Sequence, residues 1–213
     1  MSRIVDLAGK RGLVVGIANE HSIAAGCGTA FRQAGAELAV TYLNETALHS
    51  IAFAPREDLQ TGVVNCSAEG FALAMDVSCH SFIRMAKLAA PLMSEGGALL
   101  TVSFYGADRV VENYNLMGPV KAALESSVRY LAADLADRRI RANTISAGAI
   151  RTRAASGIGR FDELLDRMRE RTPARRLVGI DDVGRVAAFL ASEAGSALNG
   201  SVVYADGGFH AIA

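Results

Sequence analysis

The chain has 213 residues, 51% hydrophobic and 21% charged, with 22 Lys+Arg against 22 Asp+Glu. Such content excludes a disordered tail, and no apolar run approaches the ~18 residues of a membrane span, so a single soluble domain is expected. Zero net charge excludes a protein that coats nucleic acid, which needs surplus cations against phosphate.

Apolar strands alternate with helix-period segments along the chain. Gly12 to Ile17 reads as a buried strand, and Ser22 to Ala34 as a helix with Ser22 as its N-cap and Gly35 past its end. Glu37 to Tyr42 is a second strand and Leu48 to Phe53 a third, ended by Pro55. Ala68 to Met93 is a long helical stretch, and Ala98 to Phe104 a fourth strand. Asn115 to Leu135 is a helix, Ile140 to Ser146 a strand, Phe161 to Arg171 and Asp181 to Ser192 helices, and Ser201 to Ala205 a last strand. This order specifies an α/β fold: a doubly wound, Rossmann-type parallel sheet with helices on both faces, in one domain over 1–213. Ligands of such sheets lie beyond the carboxyl ends of the strands, where strand order reverses.

One connection breaks the pattern. Parallel neighbours need a crossover of about a dozen residues, yet only about five separate Tyr42 from Leu48. Asn44-Glu45-Thr46-Ala47 also lacks the glycine of a tight hairpin. A segment is therefore expected to be missing between about 44 and 48. Cys27, Cys66 and Cys79 form no CxxC pair, and the N-terminus has no secretory apolar core, so the cytoplasm is the expected compartment.

Four stretches carry candidate chemistry. Gly16 to Gly26 places a glycine turn and Ser22 where a strand opens into a helix, which suits a pyrophosphate, although it is not GxGxxG; a plain strand–helix turn is the alternative. Tyr114 and Lys121 are seven apart, so on a helix they fall within about 20° of one face. An ammonium beside a phenol lowers its pKa, and the phenol can polarise or protonate a developing oxyanion. Ser146 to Arg153 offers small residues to a flat ring and the Thr152 hydroxyl to an amide. His49 to Pro55 offers small residues at a strand end. For each, an ordinary structural role competes.

The stretches GIANEHSIAAG, HSIAFAP, YNLMGPVKAALE, SAGAIRTRAASGI and YADGG resemble those of the NADH-dependent enoyl-[acyl-carrier-protein] reductases, a divergent branch of the short-chain dehydrogenase/reductase family. The resemblance runs from Leu7 to Gly208, and the Tyr-x6-Lys spacing is its specific mark. It implies NADH-driven reduction of the trans-2 double bond of acyl chains on acyl carrier protein, in a homotetramer, with no nucleic acid or membrane partner and with NADPH left open. By resemblance, Tyr114 holds the enolate oxygen and Lys121 the nicotinamide ribose. Gly16, Ser22, Ile23, Ser50 and Ile51 line the dinucleotide, with Leu43 at its adenosine half. Ile150 and Thr152 meet the nicotinamide end, Ala54 touches the substrate, and 154–169 is the mobile substrate-binding region.

Three departures qualify the likeness. The family's second tyrosine is replaced by Phe104; Tyr105 is the candidate substitute, although adjacent strand residues point to opposite faces. Leu43 stands where a glutamine is frequent. The strand that meets the adenine falls in the missing segment, roughly 40 residues at usual element lengths. A carbonyl or alcohol dehydrogenase and a non-catalytic dinucleotide-binding paralogue are the alternatives. Eight arginines between Arg151 and Arg176 could steer an acidic carrier protein, or simply form a solvated face.

Overall fold

A computed structural model describes residues 4–40, 48–152 and 161–212. Strands β1 (Arg11–Val14) and β2 (Glu37–Val40) pair with each other, with helix α1 (Ile23–Gln33) between them in sequence. Strands β3 (Leu48–His49), β4 (Gly97–Phe104), β5 (Ile140–Ala147) and β6 (Val202–Ala205) form a second group in that order. A bridge between Val15 and His49 joins the groups, giving the order β2-β1-β3-β4-β5-β6, parallel throughout. The chain leaves β1 toward one edge and returns to β3 on the other side. Strand order therefore reverses between β1 and β3, as the doubly wound reading requires.

Two cores sit on opposite faces. Val14, Leu100, Val102, Ile145 and Ala147 pack with Ala24, Cys27 and Phe31 of α1 and with Val183, Ala187 and Leu190 of α7 (Ile180–Ala191). Alternate strand residues Leu99, Ile140 and Ala142 pack on the other side with Val120, Leu124 and Val128 of α5 (Met117–Asp134), and with Phe82 and Met85 of α4 (Ser81–Ala89). Alternation along each strand produces the two faces. Helices α1 and α7 cross at glycines. A Cβ on Gly26 would lie 2.5 Å from the Ile180 carbonyl oxygen, and one on Gly184 would overlap the Gly26 carbonyl.

Several elements differ from the expectation. The third strand stops at His49, because Ser50 to Ala54 leave the ladder: Ser78 Oγ accepts from the Phe53 amide at 2.9 Å and donates to the Phe53 carbonyl at 3.0 Å. After Pro55 a short helix, α2 (Arg56–Gln60), forms instead of a plain loop. The long helix is α3 (Ala68–Met75) and α4 joined through a widened π turn over Asp76–His80, which carries Ser78. The helix expected from Asn115 begins at Met117, so Asn115 joins Tyr114 in the turn before it. Ser22 caps α1 as expected, accepting from the Ala25 amide at 3.3 Å. Helix α6 (Phe161–Arg171) completes the order. The suspected junction between about 44 and 48, up to residue 47, Leu43, and 154–160 of the region 154–169 lie outside the described residues. Among the described residues no helix is long and apolar enough to cross a membrane.

Candidate active site

Tyr114 and Lys121 reach the carboxyl end of β4 by different routes. Lys121 is on the second turn of α5, buried, and its Nζ donates to the Val102 carbonyl at 2.8 Å. Tyr114 sits in the turn before α5, between Asn113 (φ 65°) and Asn115 (φ 43°), both left-handed. Asparagine is the non-glycine residue that tolerates this region best, so the Asn-Tyr-Asn run sets the turn. Asn115 Nδ2 anchors it to the Leu59 carbonyl at 2.9 Å. The Tyr114 ring meets Phe104 edge-on, centroids 4.9 Å apart, and packs on Gly106, where a methyl group would overlap it. The helical-face argument for the pair thus fails for Tyr114, but the turn brings its ring to the end of the strand that holds the lysine.

Burial sets the protonation of both groups. Desolvation pulls the Lys121 ammonium down to about 8, opposed by the Glu125 carboxylate and by Cys79. Desolvation pushes the Tyr114 phenol up, and the Glu125 charge adds to this. The sequence suggested a phenol depressed by the lysine. Here the lysine is engaged by a backbone carbonyl and loss of water dominates, so Tyr114 is a neutral hydrogen-bond donor.

Phe104 and Tyr105 diverge as strand neighbours must. Phe104 faces Tyr114, whereas the Tyr105 ring stands at 88° to Phe209, centroids 5.6 Å apart, in a cluster with Ala149, Leu165 and Met168. Tyr105 therefore packs beneath α6 and is not brought to Tyr114.

At the reversal between β1 and β3, Gly16 has φ 88°, and a Cβ there would be 2.5 Å from the Ser50 carbonyl oxygen. Only glycine makes that turn, and it lays the β1–α1 loop against Ser50 and Ile51. The first turn of α1 leaves N–H groups open beyond β1, the arrangement that holds a phosphate. The Ser22 hydroxyl also donates to the Asn19 carbonyl at 2.7 Å, so an anion taking that proton must displace Asn19. Ile23 and Ile150 are partly buried against the α1–α7 core, and Ala54 against the α4–α5 core. Thr152 is half-buried and follows β5 with Ile150. These placements fit the pyrophosphate and nicotinamide portions of a dinucleotide.

The adenosine side is different. Among the described residues β2 is the sheet edge, with Val40 half exposed. A groove of about 490 Å³ runs between α1 and β2, lined by Ile17, Thr29, Arg32, Leu38 and Val40 among others. It touches neither Tyr114 nor Lys121. Among the described residues no cluster of metal ligands occurs.

Sequence reasoning passed over two residues here. His49 was read only as part of a strand end. It is buried, its Nε2 2.6 Å from Ser81 Oγ and its Nδ1 3.3 Å from Thr101 Oγ1. Ser81 spends its proton on the Val77 carbonyl at 2.6 Å, so Nε2 carries the histidine hydrogen. Glu125, the second, is half-buried beside Ser103 and Arg129; its spacing from Lys121 was the available signal.

A family model for enoyl-(acyl carrier protein) reductase matches residues 45–210. The chain is 40% identical to the enoyl-[acyl-carrier-protein] reductase [NADH] FabI of Escherichia coli K12, over 95% of each. That alignment spans 248 positions against 213 residues here, so at least 35 positions of the relative have no counterpart in this chain. The crystal structure of the enoyl-[acyl-carrier-protein] reductase (NADH) of Aquifex aeolicus superposes with TM-score 0.92 at 38% identity, covering 96% of this chain and 97% of that one. The reductase of Anaplasma phagocytophilum, solved with NAD, superposes with TM-score 0.92 at 37% identity, over 97% and 95% of the two chains.

Proposed function

The chain belongs to the enoyl-(acyl carrier protein) reductase family, and from that premise we propose how its own residues perform the reduction. It is an NADH-dependent oxidoreductase of fatty-acid synthesis that reduces the trans-2 double bond of enoyl thioesters on acyl carrier protein. The observation that supports the residue assignment is the placement of Lys121 on the Val102 carbonyl and of the Tyr114 ring against Phe104, both toward the carboxyl end of β4, beside the reversal of strand order.

Gly16, Ser22, Ile23, Ser50 and Ile51 would hold the dinucleotide, with Lys121 on its ribose and Ile150 and Thr152 at the nicotinamide end. When bound, NADH supplies a hydride to the substrate's β-carbon. Tyr114 then meets the thioester oxygen as negative charge develops on it. A phenol that burial keeps protonated donates its hydrogen bond throughout and favours the charge of the transition state over that of the substrate. The Phe104 ring, packed edge-on against Tyr114, excludes water that would weaken that bond. Lys121 contributes a fixed positive charge within the same low-dielectric site.

Acyl carrier protein is the proposed partner. Cations at the end of β5 and on α6 support it, although several are already paired, Arg151 with Asp162 at 2.6 Å and Arg167 with Glu112 at 2.9 Å. A homotetramer is proposed too, supported by the apolar side chains Leu88, Leu92 and Tyr130 left exposed on α4, just beyond it and on α5. Cytoplasmic placement is supported by three unpaired cysteines. The open flank of β2 supports a weak hold on the adenosine half, and hence an unusually high KM for NADH.

The test follows NADH absorbance with a crotonyl thioester and with a ketone. Oxidation with the thioester alone is expected. Tyr114→Phe should lower kcat at least tenfold, and Lys121→Ala should chiefly weaken NADH binding. Wild-type kinetics in both variants would remove the assigned roles.

A further inference from the structure

We propose that Glu125 is a positioning residue for this reduction: one helical turn beyond Lys121 on α5, over a floor of buried hydroxyls of β4 and β5, it keeps the lysine ammonium charged inside the protein. The catalytic consequence rests on the reductase reading; the electrostatic claim concerns this chain alone.

Lys121 is buried, and the acceptor at its Nζ is the neutral Val102 carbonyl. A dipole alone does not repay the desolvation of an ammonium, which needs an anion or water nearby. The titratable groups that act on it are Glu125 from its own helix, Cys79 from the π turn and His49 from β3. His49 is held neutral, so Glu125 is the carboxylate among them. Around Glu125 itself stand Ser103 of β4, Arg129 one turn further along α5, Asp108 beyond β4, and Lys121. Its charge also reaches Tyr114 and Tyr204, so one carboxylate bears on both proposed site groups.

The sheet beneath supplies the second observation. By alternation, Leu99, Thr101 and Ser103 of β4 and Ile140, Ala142, Thr144 and Ser146 of β5 face α5. Leu99, Ile140 and Ala142 make an apolar floor under Leu124 and Val128. Toward the carboxyl ends the floor turns to hydroxyls, with Ser103 and Ser146 in register. Ser103, Thr144 and Ser146 are buried, and among the described residues their side-chain oxygens complete no hydrogen bond; Ser103 stands beside Glu125 and favours its charged form. Unpartnered hydroxyls in a core are ordinarily satisfied by ordered water. A polar, hydratable floor under a lysine–glutamate pair is what an internal ammonium requires.

The test is direct, because the chain has only three lysines, Lys10, Lys87 and Lys121. With ¹³Cε-lysine labelling, NMR titration of the protein without cofactor should give Lys121 a midpoint near 8, with Lys121→Met assigning the signal. Glu125→Gln should lower that midpoint by about one pH unit, and Glu125→Asp should recover most of it. In the wild type the Lys121 signal should show a smaller second step in acid as Glu125 takes up its proton, a readout that needs no variant. In turnover, the alkaline limb of kcat should move down by the same interval in Glu125→Gln. A Lys121 midpoint unchanged in Glu125→Gln, or no acid step in the wild type, would overturn the proposal. Wild-type protein that oxidises no NADH with the thioester would instead remove the reductase reading and leave the titration to decide the role of Glu125.

Discussion

His49 ties acid sensitivity to a single ring. It is 2% exposed, and burial holds its pKa at about 3 instead of 6.5, with the Lys121 and Arg84 charges adding to the effect and its own backbone opposing it. The folded state thus keeps the ring neutral, while the unfolded chain binds a proton below pH 6.5. Stability from this group is complete above that pH and is lost as pH falls toward 3. The loss is about 1.4 kcal/mol per pH unit, so about 2 kcal/mol at pH 5 and about 3 kcal/mol at pH 4. Glutamine keeps a donor and an acceptor but does not titrate. Urea unfolding of wild type and His49→Gln from pH 8 to 4 isolates the term, since His21, His80 and His210 are common to both. The wild-type curve should fall about 2 kcal/mol further than the variant's by pH 5. Parallel curves would refute the reasoning, because the ring would then be titrating in the folded state as it does in water.

Three other substitutions probe separate contacts. Gly106→Ala should lower kcat tenfold or more with NADH binding unchanged, because the new methyl displaces the Tyr114 ring; steady-state kinetics and fluorescence titration check it. Gly184→Ala should destabilise the protein by about 1–3 kcal/mol in denaturant by forcing α7 from α1. Arg141 donates to the carbonyls of Leu190 at 2.8 Å, Gly195 at 3.0 Å and Ser192 at 3.3 Å, closing the turn after α7. Arg141→Met should therefore cost about 1–3 kcal/mol in thermal or chemical unfolding, and unchanged stability would show those carbonyls to be solvated without it.

The alternation of apolar strands with helix-period segments was enough to specify a parallel sheet covered on both faces, because that pattern is local. The Tyr–Lys spacing was legible as well, but the reason attached to it was not. The spacing suggested one helical face, whereas two left-handed asparagines carry Tyr114 in a turn. Backbone sign at a single residue leaves no periodic trace. The divergence of Phe104 and Tyr105 followed from strand geometry alone and was anticipated. The truncated third strand was not, since its cause is Ser78, far along the chain in a π turn. His49 and Glu125 were hidden for a related reason: their importance comes from desolvation, a property of tertiary packing. The gap expected after Tyr42 falls outside the described residues, and the 248 positions aligned with a relative against 213 residues concern the chain as a whole.

Along one line the sheet is joined by few backbone hydrogen bonds. Among the described residues, β1 meets β3 through the Val15–His49 bridge, supported by a weak amide contact from Ser50 to the Val15 carbonyl at 3.4 Å. The outer flap of β1, β2 and α1 is otherwise held to the body by side chains, through the apolar core that Val14 and α1 share with Leu100, Val102 and α7 and through the glycine crossing of α1 on α7. A molecule stapled this way has a crease, and the groups proposed to grip the dinucleotide lie on both sides of it, Gly16 on the flap and Ile51 on the body. Filling the cleft would then act as a clasp, slowing amide exchange across the crease more than within either half.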